Sequence, residues 1–180
     1  MIGHEAINHF WFEETDSRLW FRKDAAFDRE ICSRFGEIHK AAAAGELARW
    51  RETPQGRLAE IIVLDQFSRN IHRDDAQAFS CDVVALVLAQ EAVRVGADQE
   101  LASKQKAFLY MPFMHSESLP VHEEAVKLFS QPGLEFNLDF EKKHKVIIER
   151  FGRYPHRNAL LGRESTAEEL AFLQEPGSSF

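Results

Sequence analysis

The sequence predicts an all-α protein of about nine helices, packed as antiparallel helical hairpins in one tetratricopeptide-like or solenoid-like domain over residues 1–180. Apolar residues recur at helical spacing in nearly every segment, and no segment shows the apolar–polar alternation that is typical of a half-buried strand. With 44% hydrophobic residues, among them 15 Phe and 3 Trp, a chain of this length can bury a full core. One helical domain is therefore expected.

Capping residues and a glycine define the first two predicted helices. The first covers 3–11 and leads into an aromatic turn at 20–21. Asp24 is expected to cap a second helix over 25–44, because its carboxylate can accept hydrogen bonds from the free N–H groups of the first turn. Gly45 can adopt the left-handed conformation that ends a helix, so the helix should stop there.

Two further helices begin at residues with the same capping role. Thr53, followed by a proline in the first turn, starts a helix over 54–71. Asp74 or Asp75 opens a long helix over 75–95, which ends before a glycine. The longest apolar run of the chain lies in this second helix and is far too short to cross a bilayer, so no membrane segment is predicted.

Prolines and a capping box define the helices of the second half. Pro112 lies inside a predicted helix over 104–117 and should kink it, because a proline removes a backbone hydrogen bond. The remaining predicted helices are 120–130, 137–151, 155–162 and Ser165–Pro176, the last opened by the capping box Ser165-Thr-Ala-Glu168. Three hairpins are expected: 25–44 with 54–71, 75–95 with 104–117, and 120–130 with 137–151.

Composition and charge argue against several classes of protein. The formal net charge is -7 and no block of Lys and Arg occurs, so a nucleic-acid partner is not predicted. The N-terminal residues do not resemble a signal peptide, and a cytoplasmic location is expected. The two cysteines, Cys32 and Cys81, have no Cys-x-x-Cys spacing and are interpreted as buried, reduced thiols.

Two charged residues, Asp65 and Arg69, lie in the middle of an apolar helical stripe. At about 100° per residue, both fall within about 20° of Leu58, which marks the centre of that stripe. Charges in this position are predicted to be buried, so they need partners. At a spacing of i, i+4 they can also pair with each other.

Polar residues in later parts of the chain are candidates for these partners. His115 falls on the apolar stripe of its predicted helix, and Glu117 lies near the end of that helix, where it can turn back toward an arginine. His144 occupies the centre of another apolar stripe and should also face inward. A lone histidine on an apolar face is, however, more often a core residue than a ligand.

The segment around Pro155 is a second candidate feature. The N–H groups after this proline, together with Arg153 and Arg157, would form an anion site. The alternative is that these arginines neutralise carboxylates such as Asp65 and Glu117. In that case the polar cluster is a structural network that determines helix register.

A metal site finds little support in the sequence. His115, His144 and His156, with Asp65 or Glu117, have residue types that suit zinc or iron. No pair among them has the i, i+3 or i, i+4 spacing of helical metal motifs, so no metal or other cofactor is predicted. The chain also lacks a nucleophile elbow and a glycine-rich phosphate loop, and no catalytic residue is assigned.

Several conspicuous blocks span essentially the whole chain. They are Leu64–Asn70, Ala107–Glu117 and Arg150–Thr166, with the shorter marks Phe10-Trp-Phe12, Leu19-Trp-Phe21 and Ala171-Phe-Leu173. Together these blocks closely resemble the signature of domain-of-unknown-function family 924. The resemblance implies a bacterial, all-helical protein of tetratricopeptide-like fold, and it implies no activity.

The leading hypothesis from the sequence is an inward polar cluster that binds a small anionic or polar ligand. The candidate residues are Asp65, Arg69, His115, Glu117, His144, Arg153, His156, Arg157 and Asn158. The arginines at 69, 153 and 157 would hold the anion, while Asp65, His115 and Glu117 would orient it or move a proton. The alternatives are a protein-interaction scaffold with a concave helical face, and an enzyme of unassigned, metal-assisted or metal-free, reaction.

Overall fold

Eight α-helices joined by short 3-10 turns make up the computed structural model, which describes residues 2–180. No strand occurs within this described part of the chain. Helix α1 is His4–His9, continued by a π-helical turn at Phe10–Glu14. Helix α3 is Pro54–Ile62, continued by a π-helical turn at Val63–Phe67 and an α-helical turn at Ser68–Ile71. The other helices are α2 (Ala25–Ala43), α4 (Asp82–Arg94), α5 (Ser103–Met114), α6 (Leu119–Phe129), α7 (Glu135–Phe151) and α8 (Ala167–Phe172).

Two of the helix starts that were predicted from capping residues, those after Asp24 and Thr53, are observed as predicted. A side-chain oxygen of Asp24 accepts hydrogen bonds from the backbone N–H groups of Ala26 and Phe27, each at 3.0 Å. The hydroxyl of Thr53 accepts the N–H of Gly56, also at 3.0 Å. Both caps satisfy N–H groups that have no partner within the helix, which is why the local sequence sufficed to find them.

The predicted helices over 75–95, 155–162 and 165–176 are clearly shorter in the structure, and the last of them is Ala167–Phe172. Asp75 caps a 3-10 turn at Ala76–Phe79, and the α-helix begins only at Asp82. The predicted helix over 155–162 is a 3-10 turn at Pro155–Arg157. There the N–H of Arg163 bonds to the carbonyl of Asn158 at 2.8 Å, so the chain turns back before an α-helix can propagate.

Two finer expectations were also wrong. The capping box of the last helix is shifted by one residue, because Thr166 and Glu169 exchange the two hydrogen bonds at 3.1 and 2.8 Å. Cys32 is exposed, whereas Cys81 is buried as expected. Cys32 directly follows the buried Ile31 in α2, and a step of about 100° carries it off the apolar face.

The three predicted hairpins are in contact. α2 packs against the second half of α3, α4 against α5, and α6 against α7. Helix α3 also contacts α1, α4 and α5, which makes it the central helix. The all-α fold is confirmed, while the solenoid-like arrangement stays a prediction.

Helix α3 is buried on all sides over residues 58–68. A helix that is enclosed in this way has no solvent-facing stripe, so its polar residues are buried as well. Glu60 is one of them, and Arg51 satisfies its two carboxylate oxygens at 2.7 Å each. Asp65 and Gln66 are two more, and they belong to the polar site.

A large hydrophobic core formed by α1 to α6 lies beside a smaller cluster built around Ile147, Tyr154 and Phe172. The hydroxyl of Tyr154 donates a hydrogen bond of 2.6 Å to the carbonyl of Met114, at the end of α5. This bond joins the two clusters beside the point where the polar site begins.

One stretch of the described residues, Ala76–Arg94, is long and apolar enough, by length and composition, to cross a membrane. Helices of soluble proteins can meet the same criterion, so the match is weak evidence. In the structure the stretch is divided into a 3-10 turn and α4, and α4 packs against α3 and α5. The expectation that this protein does not associate with a membrane stays a prediction.

A pair of glycine substitutions tests how closely α3 approaches the preceding turn. A Cβ atom at Gly56 would lie 1.9 Å from the backbone carbonyl oxygen of Trp50, whereas a Cβ at Gly36 in α2 would meet nothing within 4 Å. We expect Gly56→Ala to lower the free energy of unfolding by about 1–3 kcal/mol or more, because the backbone must move. Gly36→Ala should leave it unchanged or raise it by up to about 1 kcal/mol. Urea unfolding measures both, and equal stabilities of the two variants would contradict the close approach.

Candidate functional site

Two carboxylates, two guanidinium groups and one histidine meet where α3, α4, α5 and the turn after α7 come together. We call them the inner network: Asp65, Arg69, Asp82, His115 and Arg157. Asp65 has no exposed surface and contacts Arg69 and His115, while Asp82 and Arg157 join the network through these two residues. The charged stripe that was recognised in the sequence is therefore buried, and it does acquire partners from remote segments.

Asp65 lies in the π-helical turn of α3, and its carboxylate has three polar neighbours. His115 Nδ1 is 2.6 Å from Oδ1, Gln66 donates to Oδ2 at 2.5 Å, and Arg69 Nη1 is 3.5 Å from Oδ1. Burial alone would raise the pKa of Asp65, but His115 and Arg69 outweigh it and lower this pKa to about 2. Asp65 is thus an ionised carboxylate at neutral pH.

Arg69 is occupied mainly by Asp82 at the start of α4. The two side chains form a bidentate pair with N–O distances of 2.9 and 3.0 Å, and Arg69 also donates to the backbone carbonyl of Asp65 at 2.8 Å. Planar, two-bond pairing of this kind fixes orientation as well as distance. It ties α3 to α4.

Arg157 enters the inner network from the turn after α7. It donates to the carbonyl of His115 at 3.0 Å and to Asp82 at 3.4 Å, and its Nε has no hydrogen-bond partner. The guanidinium also lies 4.7 Å from the ring centres of both Phe79 and Tyr154. Burial and the charge of Arg69 lower its pKa, but a guanidinium stays charged at neutral pH.

His115 has one ring nitrogen committed and one free. Because the ionised Asp65 can only accept, Nδ1 of His115 must carry the hydrogen of their 2.6 Å bond. Burial, aided by the charge of Arg69, lowers the pKa of His115, so its ring is neutral at neutral pH. Its Nε2 is then an unprotonated acceptor, and it has no partner within the described part of the chain.

A second group of side chains, the outer network, adjoins the first. It consists of Glu117, Arg153, Asn158, Arg163 and Glu169. Arg163 pairs with Glu117 at 2.7 and 2.8 Å, and Arg153 pairs with Glu169 at 2.7 and 2.8 Å. Burial opposes ionisation of Glu117, but the hydrogen bonds from Arg163 prevail and lower its pKa.

Two predicted site residues, His144 and His156, lie elsewhere. His144 donates from Nδ1 to the carbonyl of Phe140 at 2.7 Å, and its ring stacks on Phe180 with 3.8 Å between centres. His156 packs edge-on against Phe180 and tilted against Tyr154. Both belong to an aromatic cluster at the end of the chain and neither lines the cavity described next.

A cavity of about 290 Å³ opens beside the inner network. Its polar lining comes from Asp82, His115, Ser116, Glu117 and Arg157, with Ser80. Its apolar lining consists of Ala76, Phe79, Val83, Leu86, Pro112 and Leu161. The volume is near the lower end of the range that is usual for small-molecule sites.

The charges around this cavity balance. Three guanidinium groups, those of Arg69, Arg157 and Arg163, face three carboxylates, those of Asp65, Asp82 and Glu117. His115 adds no charge, since its ring is neutral. The lining itself carries two of these carboxylates, Asp82 and Glu117, and one guanidinium, Arg157, while Arg69 and Arg163 pair with the two carboxylates without lining the cavity.

The sequence identified Asp65, Arg69, His115, Glu117 and Arg157 as neighbours, and the structure brings them together. Of the three arginines that were expected to hold an anion, only Arg157 lines the cavity. Arg69 is paired with Asp82, and Arg153 and Asn158 belong to the outer network. The expected convergence of three arginines on one anion is absent from this cavity.

Three residues of the two networks were missed by sequence reasoning: Asp82, Arg163 and Glu169. Asp82 had been placed inside the predicted helix over 75–95, and no role was assigned to it. In the structure the helix begins at residue 82, which places the Asp82 carboxylate in the first turn. That helix start was not recognised in the sequence. Glu169 is half of a capping box, and that role alone gave no hint of its bonds to Arg153.

Within residues 2–180, no three His, Cys, Asp or Glu side chains are placed so that they could share a metal ion. Three histidines were considered for such a site. His144 and His156 belong to the aromatic cluster, and His115 belongs to the inner network.

The fold and the two networks define an all-helical protein with a small polar cavity between its helices. Residues 7–177 match the family described as "Bacterial protein of unknown function (DUF924)", and this chain belongs to that family. It is also similar to a solved structure, "Structure of Protein of Unknown Function ATU0120 from Agrobacterium tumefaciens". The two are 40% identical over 95% of this chain and 96% of that one, with a TM-score of 0.90. No functionally curated protein matches the chain.

Removing Arg69 tests the importance of the inner network for stability. In Arg69→Gln, the carboxylates of Asp65 and Asp82 lose the cation they share, and an unneutralised buried charge is costly. We expect the free energy of unfolding to fall by about 3–5 kcal/mol. The control is Arg150→Gln, which removes an exposed pair with Glu168 and should change stability by no more than about 1 kcal/mol. Equal losses in chemical denaturation would contradict the assigned role.

Acidification should destabilise the protein through its buried histidines. Burial is the main cause that lowers the pKa of His39 to about 4, of His144 to about 3 and of His156 to about 4. These groups protonate near pH 6.5 in the unfolded state. The unfolded state therefore binds more protons than the folded state as the pH falls from about 6.5 toward 4. The contribution of these neutral histidines to the free energy of unfolding is fully present above pH 6.5. It is lost below that pH, by up to about 1.4 kcal/mol per pH unit for each histidine.

The matched variants for this prediction are His144→Gln and His9→Gln. His9 is exposed, so its replacement should leave the pH dependence of urea unfolding unchanged. His144→Gln should reduce the slope between pH 6 and 5 by about one proton. An unaltered slope in His144→Gln would contradict the assignment of a neutral buried ring.

Proposed function

We propose that this protein binds a small polar molecule with a short apolar part, and that the ligand is neutral or zwitterionic. The supporting observation is the cavity of about 290 Å³ beside the inner network, in which every charged lining residue already has a protein partner of opposite charge. A net anion would find one cationic side chain there, Arg157, which is paired with Asp82, together with the carboxylates of Asp82 and Glu117. A molecule with both a donor and an acceptor matches this lining better.

The polar wall offers complementary hydrogen-bonding groups. Nε2 of the neutral His115 accepts, and the carboxylate of Asp82 accepts as well. Arg157 contributes donors through its Nη groups, whereas its Nε is enclosed by protein. Nε2 of His115 has no protein partner, and a ligand that satisfies it is favoured because leaving a polar group unpaired costs free energy.

The opposite wall supplies apolar contact area. Val83 is 72% exposed and Leu161 is 37% exposed, although both line the cavity. Phe79, Leu86 and Pro112 extend the same wall. A bound alkyl group would cover part of this surface, and each square ångström removed from water contributes about 25 cal/mol.

A protein-interaction role is the second candidate, and exposed aromatic side chains on α7 favour it. Phe136 is 65% exposed and Phe140 is 40% exposed, and their rings contact each other at 4.9 Å between centres. An apolar surface of this kind is typical of a contact site for another macromolecule.

The binding proposal is tested by thermal shift with three compounds that share a short alkyl chain and differ in charge: butyramide, norvaline and butyrate. Butyramide or norvaline should raise the Tm by mass action, and butyrate should raise it less. The variant Val83→Trp fills the cavity from an exposed position and should abolish the shift. Val84→Trp is the matched control, because Val84 is its exposed neighbour on α4 and does not line the cavity.

Three outcomes would count against the proposal. No shift with any of the three compounds would contradict binding of this class of molecule. Equal shifts in Val83→Trp and Val84→Trp would place the binding outside the cavity. A shift with butyrate alone would support an anionic ligand and contradict the neutral or zwitterionic assignment.

A further inference from the structure

We infer that the cavity is catalytic, with His115 acting as the general base in the hydrolysis of a small uncharged carboxylic ester. This inference rests on the proposed function, since the ester must first bind in the same cavity. It concerns three side chains of the inner network in different roles. His115 takes the proton, Asp65 positions His115, and Arg157 stabilises the negative charge that develops on the substrate.

The geometry of His115 leaves a single nitrogen available for chemistry. Its Nδ1 is held at 2.6 Å by Asp65, and its backbone carbonyl is held at 3.0 Å by Arg157. The side chain is only 16% exposed, yet it lines the cavity, and Nε2 has no protein partner. Nε2 is not enclosed by protein atoms, so it is accessible from the cavity.

The protonation state of His115 suits a base. A base must be unprotonated at the working pH and able to take up a proton during the reaction. Burial and Arg69 keep the ring neutral, while the adjacent Asp65 carboxylate can stabilise the imidazolium as it forms. The balance of these two effects provides both requirements in one side chain.

Asp65 acts as a positioning residue because it cannot itself move. It lies in a π-helical turn within the fully buried part of α3 and has no exposed surface. The hydrogen bonds from Gln66 and His115 fix both of its carboxylate oxygens. A carboxylate held in this way determines which tautomer of His115 is present and where its ring points.

Arg157 is a rigid cation in the same cavity. Its guanidinium carbon lies 4.7 Å from the ring centre of Phe79 and 4.7 Å from that of Tyr154, and the guanidinium donates to the carbonyl of His115. A fixed cation that needs no reorganisation stabilises a developing oxyanion more effectively than water does.

The reaction balances with water as the only co-reactant. His115 Nε2 takes a proton from water while the water oxygen bonds to the ester carbonyl carbon, whose π electron pair moves onto the carbonyl oxygen. When that pair re-forms the C=O bond, the bond to the alkoxy oxygen breaks, and the leaving oxygen takes the proton from Nε2. The products are a carboxylic acid and an alcohol, and His115 is neutral again.

The lining of the cavity narrows the substrate to an ester with a short alkyl part. An uncharged ester enters the cavity without the cost of desolvating an ion, and its alkyl group fits the wall formed by Val83, Leu86 and Leu161. The acid product ionises at neutral pH. Because Asp82 and Glu117 line the same cavity, a carboxylate product is held less well than the ester and is released.

The experiment measures hydrolysis of ethyl butyrate by pH-stat, and of p-nitrophenyl butyrate by absorbance, with the full-length protein. His115→Asn is the central variant, because an asparagine amide can still donate to Asp65 but offers no base. We expect it to lower kcat by about 10²–10⁴-fold. His9→Asn, at an exposed histidine, controls for nonspecific imidazole catalysis and should match the parent. Circular dichroism checks that each variant is folded.

The pH profile tests the role of Asp65 separately from folding. For the parent, kcat/KM should reach its plateau already below pH 6.5, since the pKa of His115 is lowered. In Asp65→Asn, the imidazolium loses its anionic partner. We expect a lower kcat with little change in KM, and an acidic limb that moves to lower pH. A purely structural role would reduce the active fraction without moving the limb.

Each result decides between the two proposals. Hydrolysis at the buffer rate by the parent, or parent-like rates in folded His115→Asn, would overturn the catalytic inference. If butyramide or norvaline still stabilises the parent while no ester is hydrolysed, binding stands and catalysis fails. If Val83→Trp abolishes neither the thermal shift nor hydrolysis, the cavity is the wrong location for both.

Discussion

A single carboxylate, that of Asp65, has no access to water at the centre of an enclosed helix, and much of the surrounding arrangement follows from neutralising it. Desolvating such a charge is costly unless it is paired and hydrogen-bonded. Arg69 and His115 supply that pairing. Arg69 then needs Asp82, and Asp82 also receives Arg157. One buried charge therefore links α3 to α4, α5 and the turn after α7.

The same chain of compensation explains why every charged side chain that lines the cavity already has a protein partner of opposite charge. Each arginine near it has been brought in by a carboxylate, so its charge is already offset by a protein partner. What remains available to a ligand is hydrogen-bonding capacity, at Nε2 of His115 and at Arg157, rather than net charge. A structural network and a binding site are thus not exclusive alternatives here. The network supplies stability, and its edge lines the cavity.

Helical periodicity in the sequence predicted part of the polar site. Asp65 and Arg69 were found because charged residues interrupt an apolar stripe, and His115 because it shares the apolar stripe of its own helix. Asp82 could not be found in this way, since the predicted helix began too early and gave it an interior position. His144 was assigned to the polar site but lies in the aromatic cluster, and the reason is related. An inward-facing residue can belong to any part of the core, and this one stacks on Phe180.

The sequence by itself determined the all-α class, most helix starts and the burial of the central charges, because caps, breakers and periodicity act over a few residues. It also determined family membership, through blocks that extend along the whole chain. Only the tertiary structure decided which charge meets which. Arg153 binds Glu169, Arg163 binds Glu117, and Arg69 turns to Asp82. Such pairs join residues that are distant in sequence, and their choice depends on distances of a few ångströms that exist only after the helices have packed.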